Sequence, residues 1–415
     1  MVKQLYDLGE VPPTGVVPKS MWASVIRPER YGQPVDAFRT EVIPVPSVGP
    51  DQVLVYMMAA GINYNNVWAA LGQPVDVIGA RRRRDPSAEN FHVGGSEGAG
   101  IVWAVGDRVR DVKVGDEVVV SSCQWDESAA DIRAGMDPMM SSTQLVWGYE
   151  ANYGSFAQFA AVYQHQIHPK PNRLSWAEAA CYMLTGATAY RQLMGWQPHV
   201  VRPGDPVLIW GGSGGLGSMA IQIVRSFGGK PIAVVSNDDR RDYCFGLGAH
   251  GVVNRAEFHH WGRMPELDDA DKISEWSREV RRFGQAFWSA LGERRSPRIV
   301  IEHVGQGTIP TSMYLCDTGG MVVLVGATSG FHADIDLRYL WMRQKRLQGS
   351  HFANFEQCRA ITELVASGAV DPCLSYVGGF DEIGKTHQLM RDNVHPAGNM
   401  AVLVNDLGPV GALLA

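Results

Sequence analysis

From about residue 200 onward the chain repeats one pattern: a short apolar run, then a longer stretch in which apolar positions recur with helical spacing. The runs fall at residues 207–210, 232–235, 251–253, 298–301, 321–325 and 347–348. Strands covered on both faces have this character, so the pattern predicts a doubly wound parallel sheet of the α/β class. Before about residue 180 the texture is different. Residues 52–58, 100–105, 117–120 and 156–162 are strand candidates, with Gly106-Asp107 and Gly115-Asp116 between them as turn signals, which predicts a small β-rich barrel. Ser175 and Glu178 have the spacing of a capping box, opening a helix near the junction of the two textures. Residues 356–367 are predicted helical and 400–404 a closing strand, while the acidic, tryptophan-containing segment 258–290 is expected to be an exposed insertion. With 415 residues, too many for one core, the chain is expected to hold two domains.

The first apolar run of the parallel sheet leads directly into Gly211-Gly212-Ser213-Gly214-Gly215-Leu216-Gly217, and a helical pattern follows at 218–227. Strand, glycine turn and helix start in this order form a dinucleotide site, where glycines let backbone amides approach a pyrophosphate and the helix start favours its charge. The next strand distinguishes the two nicotinamide cofactors. An acidic residue about 20 residues beyond the glycines would hold ribose hydroxyls. Here Ser236 stands in that place, followed by Arg240 and Arg241, a set suited to a 2′-phosphate and therefore to NADPH. Asp238 and Asp239 count against this, since either one could repel the phosphate or instead pair with the arginines.

Composition narrows the class further. With 45% hydrophobic and 19% charged residues the chain has the make-up of a globular enzyme. A net charge of −6 argues against nucleic acid as a partner, because phosphate backbones are held by a clustered positive excess. The N-terminal segment MVKQLYDLGEVPPTG has no signal-peptide core, and no run approaches the ~18 apolar residues of a membrane span. The six cysteines, Cys123, Cys181, Cys244, Cys316, Cys358 and Cys373, form no CxxC pair. This suits reduced thiols in the cytoplasm better than disulfides or a structural zinc site.

A β-rich barrel followed by a nucleotide domain is the order seen in the medium-chain dehydrogenase/reductase superfamily, which the chain resembles. The resemblance implies a GroES-like catalytic domain over residues 1–182, completed by 358–415, and a Rossmann domain over 183–357. Alcohol dehydrogenases of that superfamily carry a zinc-binding Gly-His-Glu. This chain has Gly95-Ser96-Glu97 there and no lobe of closely spaced cysteines, so no metal is expected. What remains is reduction of a conjugated double bond.

Longer strings are more specific. Gly61-Ile62-Asn63-Tyr64-Asn65, Trp147-Gly148-Tyr149-Glu150, the glycine loop, Arg338-Tyr339-Leu340-Trp341-Met342 and Gly349-Ser350-His351-Phe352 together resemble crotonyl-CoA carboxylase/reductases, over residues 20–405. The resemblance implies hydride transfer from NADPH to the β-carbon of an enoyl-CoA thioester, and attack of the resulting enolate on CO2. It maps the CO2-holding set onto Asn65, Tyr149, Glu150 and His351, with Asn63 as the nearest competitor of Asn65. It extends the cofactor contacts to Thr188, His303, Ala327, Thr328 and Phe352, and implies a homotetramer built as a dimer of dimers. Taken singly, Asn65 could cap a helix beginning near Val67, Tyr149 and Trp147 could be core aromatics, Glu150 a solvated acid, and His351 a packed strand-end residue. Arg343, Lys345 and Arg346 are candidates for the CoA phosphates, or are surface charge. The run Arg81–Arg84 is expected in a solvated loop, with contact to the adenine end of CoA as the sharper alternative. Three departures from the family pattern bear on the acyl group: Glu97 where Asp is common, Val304 where proline is common, and the arginine-rich segment 80–91. Two rivals stand beside carboxylation: an enoyl-CoA or quinone reductase that only protonates the enolate, and a non-catalytic, crystallin-like NADPH-binding protein.

Overall fold

The computed structural model describes residues 3–406 and divides into two compact units. The described residues of Met1–Leu184, Ala353–Ala366 and Pro372–Ala415 form one; Thr185–Phe352 with Ser367–Asp371 form the other. The last residues of the predicted catalytic domain, 407–415, and the first two lie outside the described residues.

The first unit is built around one long strand, Gln52–Ile62, which pairs antiparallel with Gly98–Val105, Phe159–Tyr163 and Asn399–Leu403. Glu117–Val120 and Ile167–Pro169 extend the sheet on one side, and Leu374–Gly378 on the other. The central strand starts where the apolar pattern starts but runs four residues past the expected end. Its extension is Ala59-Ala60-Gly61-Ile62, and Ala59 and Ala60 lie opposite Ala99 and Gly98, small residue against small residue. The expected strand at 156–162 lies instead at Phe159–Tyr163, while Phe156 is fully buried, edge-on to Phe38 at 6.0 Å. Tyr56, Phe156, Phe159 and Trp147 anchor this core. Each contributes about 1.5–3 kcal/mol by leaving water.

The second unit is a six-stranded sheet, parallel throughout, in the order Gly251–Asn254, Lys230–Val235, Pro206–Trp210, Ile299–Glu302, Met321–Leu324, Arg346–Gly349. Strand order reverses between Pro206–Trp210 and Ile299–Glu302, and in such sheets ligands bind beyond the carboxyl ends at this switch point.

Two expectations are corrected here. Segment 258–290 is not an exposed insertion: it carries the 22-residue helix Ala270–Leu291, capped by Asp269, which accepts the Lys272 amide. Trp276, Val280, Phe283, Phe287 and Leu291 fall on one face and are buried, and Phe283 stacks on Trp210 with ring centroids 5.5 Å apart. Charges of both signs, Asp271, Lys272, Glu275, Arg278, Arg281 and Arg282, are exposed on the outer face of this amphipathic helix. The arginine run is not a loop either. Asp76 accepts the Gly79 amide and opens the helix Val77–Arg84, whose Arg81 turns inward to donate to the Phe91 carbonyl at 2.6 Å; Arg82, Arg83 and Arg84 are exposed.

Candidate active site

In the second unit the strand Pro206–Trp210 ends in the glycine turn, and the helix Gly215–Ser226 follows with Gly214 at its N-cap and no side chain capping it. Gly211 has φ +61°, and a Cβ there would stand 2.5 Å from His303 Nε2. A Cβ on Gly217 would run into the Gly211 carbonyl. The turn is thus compressed between the helix start and His303. His303 Nε2 lies 3.1 Å from the Trp210 carbonyl; a carbonyl only accepts, so this nitrogen carries the proton. Burial lowers the imidazole pKa and keeps the ring neutral.

Beside it, Glu302 is fully buried and accepts from four donors: the amides of Val304 (2.8 Å) and Gly305 (3.2 Å) and the hydroxyls of Thr308 (2.9 Å) and Ser312 (2.7 Å). Burial raises its pKa, and these bonds oppose the shift. Sequence reasoning had no signal for Glu302 other than an acid at the end of an apolar run. The loop it anchors carries His303, whose carbonyl receives the Thr328 amide at 3.3 Å, and Gly305 packs against Ala327. Thr188 and Ser350 are buried, and their hydroxyls have no hydrogen-bond partner among the described residues. Ser236 is exposed at the end of Lys230–Val235; of the two acids that counted against a 2′-phosphate, Asp238 pairs with Arg241 at 3.5 Å, and Asp239 is exposed. An uncapped helix start, a turn that only glycine fits and the buried Thr188 hydroxyl suit a dinucleotide. His351 is exposed, its ring 4.6 Å from that of Phe352, which adopts φ +49°.

One predicted CoA contact is withdrawn. Lys345 is buried, and its ammonium donates to the carbonyls of Met313 (2.6 Å) and Tyr314 (3.1 Å) at the end of the helix Ile309–Leu315. A cation spent on helix carbonyls is not available to a phosphate in solvent. Arg343 is exposed, and Arg346 lies over the Trp196 ring at 5.4 Å.

In the first unit Asn65 sits in the first turn of the helix Tyr64–Leu71, for which Asn63, not Asn65, is the N-cap residue. Asn65 Nδ2 donates to Ser96 Oγ at 2.6 Å, so the serine in the place of the zinc ligand now receives an amide hydrogen. Asn63 is committed elsewhere: its Nδ2 donates to Glu97 Oε1 at 2.6 Å. The opposite oxygen of Glu97 accepts the Leu184 amide at 2.7 Å, and burial pushes this carboxyl up to about 7 against those bonds. Sequence reasoning saw Glu97 only as a departure from the family. An acid enclosed by Gly95, Ser96, Gly98 and Ala99 is a signal of burial that was available.

Trp147 is buried and donates from its indole to the Tyr153 carbonyl at 2.9 Å, fixing the turn that follows. In that turn Glu150 Oε2 accepts the Val146 amide at 2.9 Å. Tyr149 packs half-buried against the barrel core, and burial together with the Glu150 charge raises its phenol to about 12. Asn65, Tyr149 and Glu150 therefore belong to the first unit and His351 to the second. Among the described residues no group of three or more His, Cys, Asp or Glu side chains could hold a metal ion.

Comparison with known proteins agrees with this architecture. Residues 49–172 match the alcohol dehydrogenase GroES-like domain and residues 215–367 the zinc-binding dehydrogenase family. A crotonyl-CoA carboxylase/reductase of Cereibacter sphaeroides is 48% identical over 97% of this chain and 92% of its own length. The structure of the crotonyl-CoA carboxylase/reductase AntE in complex with NADP superposes with a TM-score of 0.95 at 64% identity, covering 98% of this chain and 100% of that one. That of the 2-octenoyl-CoA carboxylase reductase CinF, in complex with NADP and 2-octenoyl-CoA, gives 0.86 at 35% identity, covering 95% and 90%. With near-complete coverage in both directions, the chain belongs to the crotonyl-CoA carboxylase/reductase family, on the medium-chain dehydrogenase/reductase fold.

Proposed function

We propose that the protein is an NADPH-dependent reductive carboxylase that converts a trans-2-enoyl-CoA and CO2 into a 2-alkylmalonyl-CoA, ethylmalonyl-CoA when the substrate is crotonyl-CoA. The observation that carries the reading is near full-length likeness to crotonyl-CoA and 2-octenoyl-CoA carboxylase/reductases. When bound, NADPH supplies the hydride for the β-carbon of the thioester. The turn residues Gly211, Ser213, Gly214, Gly215, Leu216 and Gly217 would hold its pyrophosphate, Ser236, Arg240 and Arg241 its 2′-phosphate, and Thr188, His303, Ala327, Thr328 and Phe352 its nicotinamide end. Arg343 and Arg346 are assigned to the CoA phosphates.

The rest of the chemistry rests on this chain's own polar groups. An enolate exposed to water takes a proton quickly, so carboxylation requires CO2 held nearby with water excluded. CO2 offers only weak oxygen acceptors, and we assign the Asn65 amide as the direct donor. Glu150 cannot donate as a carboxylate. With Oε2 on the Val146 amide, we assign its other oxygen the orienting of a water, and His351 the role of a further N–H donor. Tyr149 walls the position beside Glu150. A second reading, reduction without carboxylation, is favoured by two Streptomyces relatives named crotonyl-CoA reductase, at 36% and 35% identity.

The parallel sheet ends in the strand Arg346–Gly349, and Leu337, Trp341, Met342 and Leu347 nearby are exposed apolar residues. An open edge with an apolar fringe supports assembly through this edge into the dimers of a tetramer. Six buried cysteines fit a reducing cytoplasm, and no helix among the described residues is long and apolar enough to cross a membrane.

Crotonyl-CoA and NADPH supplied with and without bicarbonate, with the product weighed, test the reading. A product one CO2 heavier is expected; butyryl-CoA alone at high bicarbonate overturns carboxylation and leaves the reductase.

A further inference from the structure

Three hydrogen bonds around Asn65 run in one direction. The Gly95 amide donates to Asn66 Oδ1 at 3.1 Å, Asn66 Nδ2 donates to Asn65 Oδ1 at 3.1 Å, and Asn65 Nδ2 donates to Ser96 Oγ at 2.6 Å. A side-chain amide can in principle sit either way round, since its oxygen and nitrogen ends have the same shape. Here the first link removes the choice. A backbone N–H can only donate, so Asn66 must turn its oxygen toward Gly95 and its nitrogen toward Asn65. Asn65 must then meet that nitrogen with its oxygen, and its own NH2 group is forced to the Ser96 side. Asn66 is fully buried, so water does not compete for these contacts.

We infer that Asn66 and Ser96 are positioning residues that fix which end of the Asn65 amide is presented, so that an N–H and not a carbonyl faces CO2. The inference rests on the reading of Asn65 as the CO2 donor. A reversed Asn65 would offer lone pairs to a molecule whose outer atoms are themselves acceptors, and would disfavour capture while leaving hydride delivery alone. Ser96 Oγ accepts the amide hydrogen at 2.6 Å; a hydroxyl can donate as well as accept, so Ser96 reinforces the orientation that Asn66 sets.

The measured quantity is the ratio of carboxylated to merely reduced product, from crotonyl-CoA and NADPH at saturating bicarbonate. The rate of bicarbonate-free reduction reports on folding and hydride delivery. Asn66→Asp keeps the shape and the acceptor for Gly95 but has no hydrogen for Asn65, and is expected to lower the ratio about tenfold, with bicarbonate-free reduction within about threefold of the parent. Ser96→Ala is expected to lower the ratio about threefold, and Ser96→Thr, which retains the hydroxyl, to restore it. Asn65→Ala is the control. If it lowers the ratio while Asn66→Asp leaves it within twofold, the positioning role is wrong. If Asn65→Ala itself leaves the ratio unchanged, the assignment of Asn65 falls, and the inference with it. Should Asn66→Asp fail to fold, the serine pair decides: an unchanged ratio in Ser96→Ala overturns the inference.

Discussion

Replacing Glu302 by glutamine tests whether the nucleotide turn is set up by a buried acid behind it. Oε1 of Glu302 receives three of the four hydrogen bonds, and Oε2 receives the Ser312 hydroxyl, which itself accepts the Trp210 indole N–H at 2.8 Å. In Glu302→Gln the remaining oxygen can keep Val304, Gly305 and Thr308. The new NH2 then faces a hydroxyl that was donating, and the Ser312 hydrogen loses its acceptor. One buried orphan donor costs about 1–3 kcal/mol, and the surviving bonds lose their charge assistance. The expected result is a melting temperature several degrees lower, at roughly 2–4 °C per kcal/mol for a unit of this size. NADPH binding should weaken as well, because residues 303–305 lean on this carboxylate. If re-ordering them costs about 1 kcal/mol, Kd rises roughly fivefold. Thermal denaturation and titration of nicotinamide fluorescence measure the two effects. A variant with unchanged melting temperature and unchanged Kd would show that the four bonds contribute nothing net and that the turn is held by its glycines alone.

Two further outcomes follow from buried charges. Glu97 has its folded pKa raised from 4.5 to about 7, so the folded state binds a proton more tightly than the unfolded chain. Its contribution is complete below the unfolded pKa and is lost as pH climbs through about 7, a span worth ~3 kcal/mol at 1.36 kcal/mol per unit. Glu97→Gln should therefore flatten the fall in melting temperature between about pH 5 and 8, and an unaltered slope would refute the assignment. Lys345→Met removes a cation that caps helix carbonyls, so it should lower stability while leaving the KM for crotonyl-CoA unchanged; a several-fold rise in that KM would return Lys345 to the CoA site.

Features set by local pattern were legible in the sequence. The strand Pro206–Trp210, the glycine turn and the helix Gly215–Ser226 are determined by neighbours in sequence, as is the capping box of Ser175 and Glu178. What escaped depends on distant partners. The helix Ala270–Leu291 was hidden because its charges dominate composition while its buried face is visible only in the spacing from Trp276 to Leu291. Lys345 looks like its neighbours Arg343 and Arg346 in one dimension, and only the end of another helix explains why it points inward. Asn63 and Asn65 stand two apart, and their roles separate only when Glu97 and Ser96 are brought opposite them.

The strand Asn399–Leu403 pairs with the end of the barrel's longest strand, although some 340 residues separate them in the chain. During synthesis the first strands of the barrel emerge before the nucleotide-binding unit but lack this neighbour until residues 399–403 follow that unit. The nucleotide-binding unit is contiguous apart from five residues, and its sheet can close while translation continues. Order of manufacture and order of maturation are thus reversed, and the exposed flank of the unfinished barrel is where a chaperone would be needed.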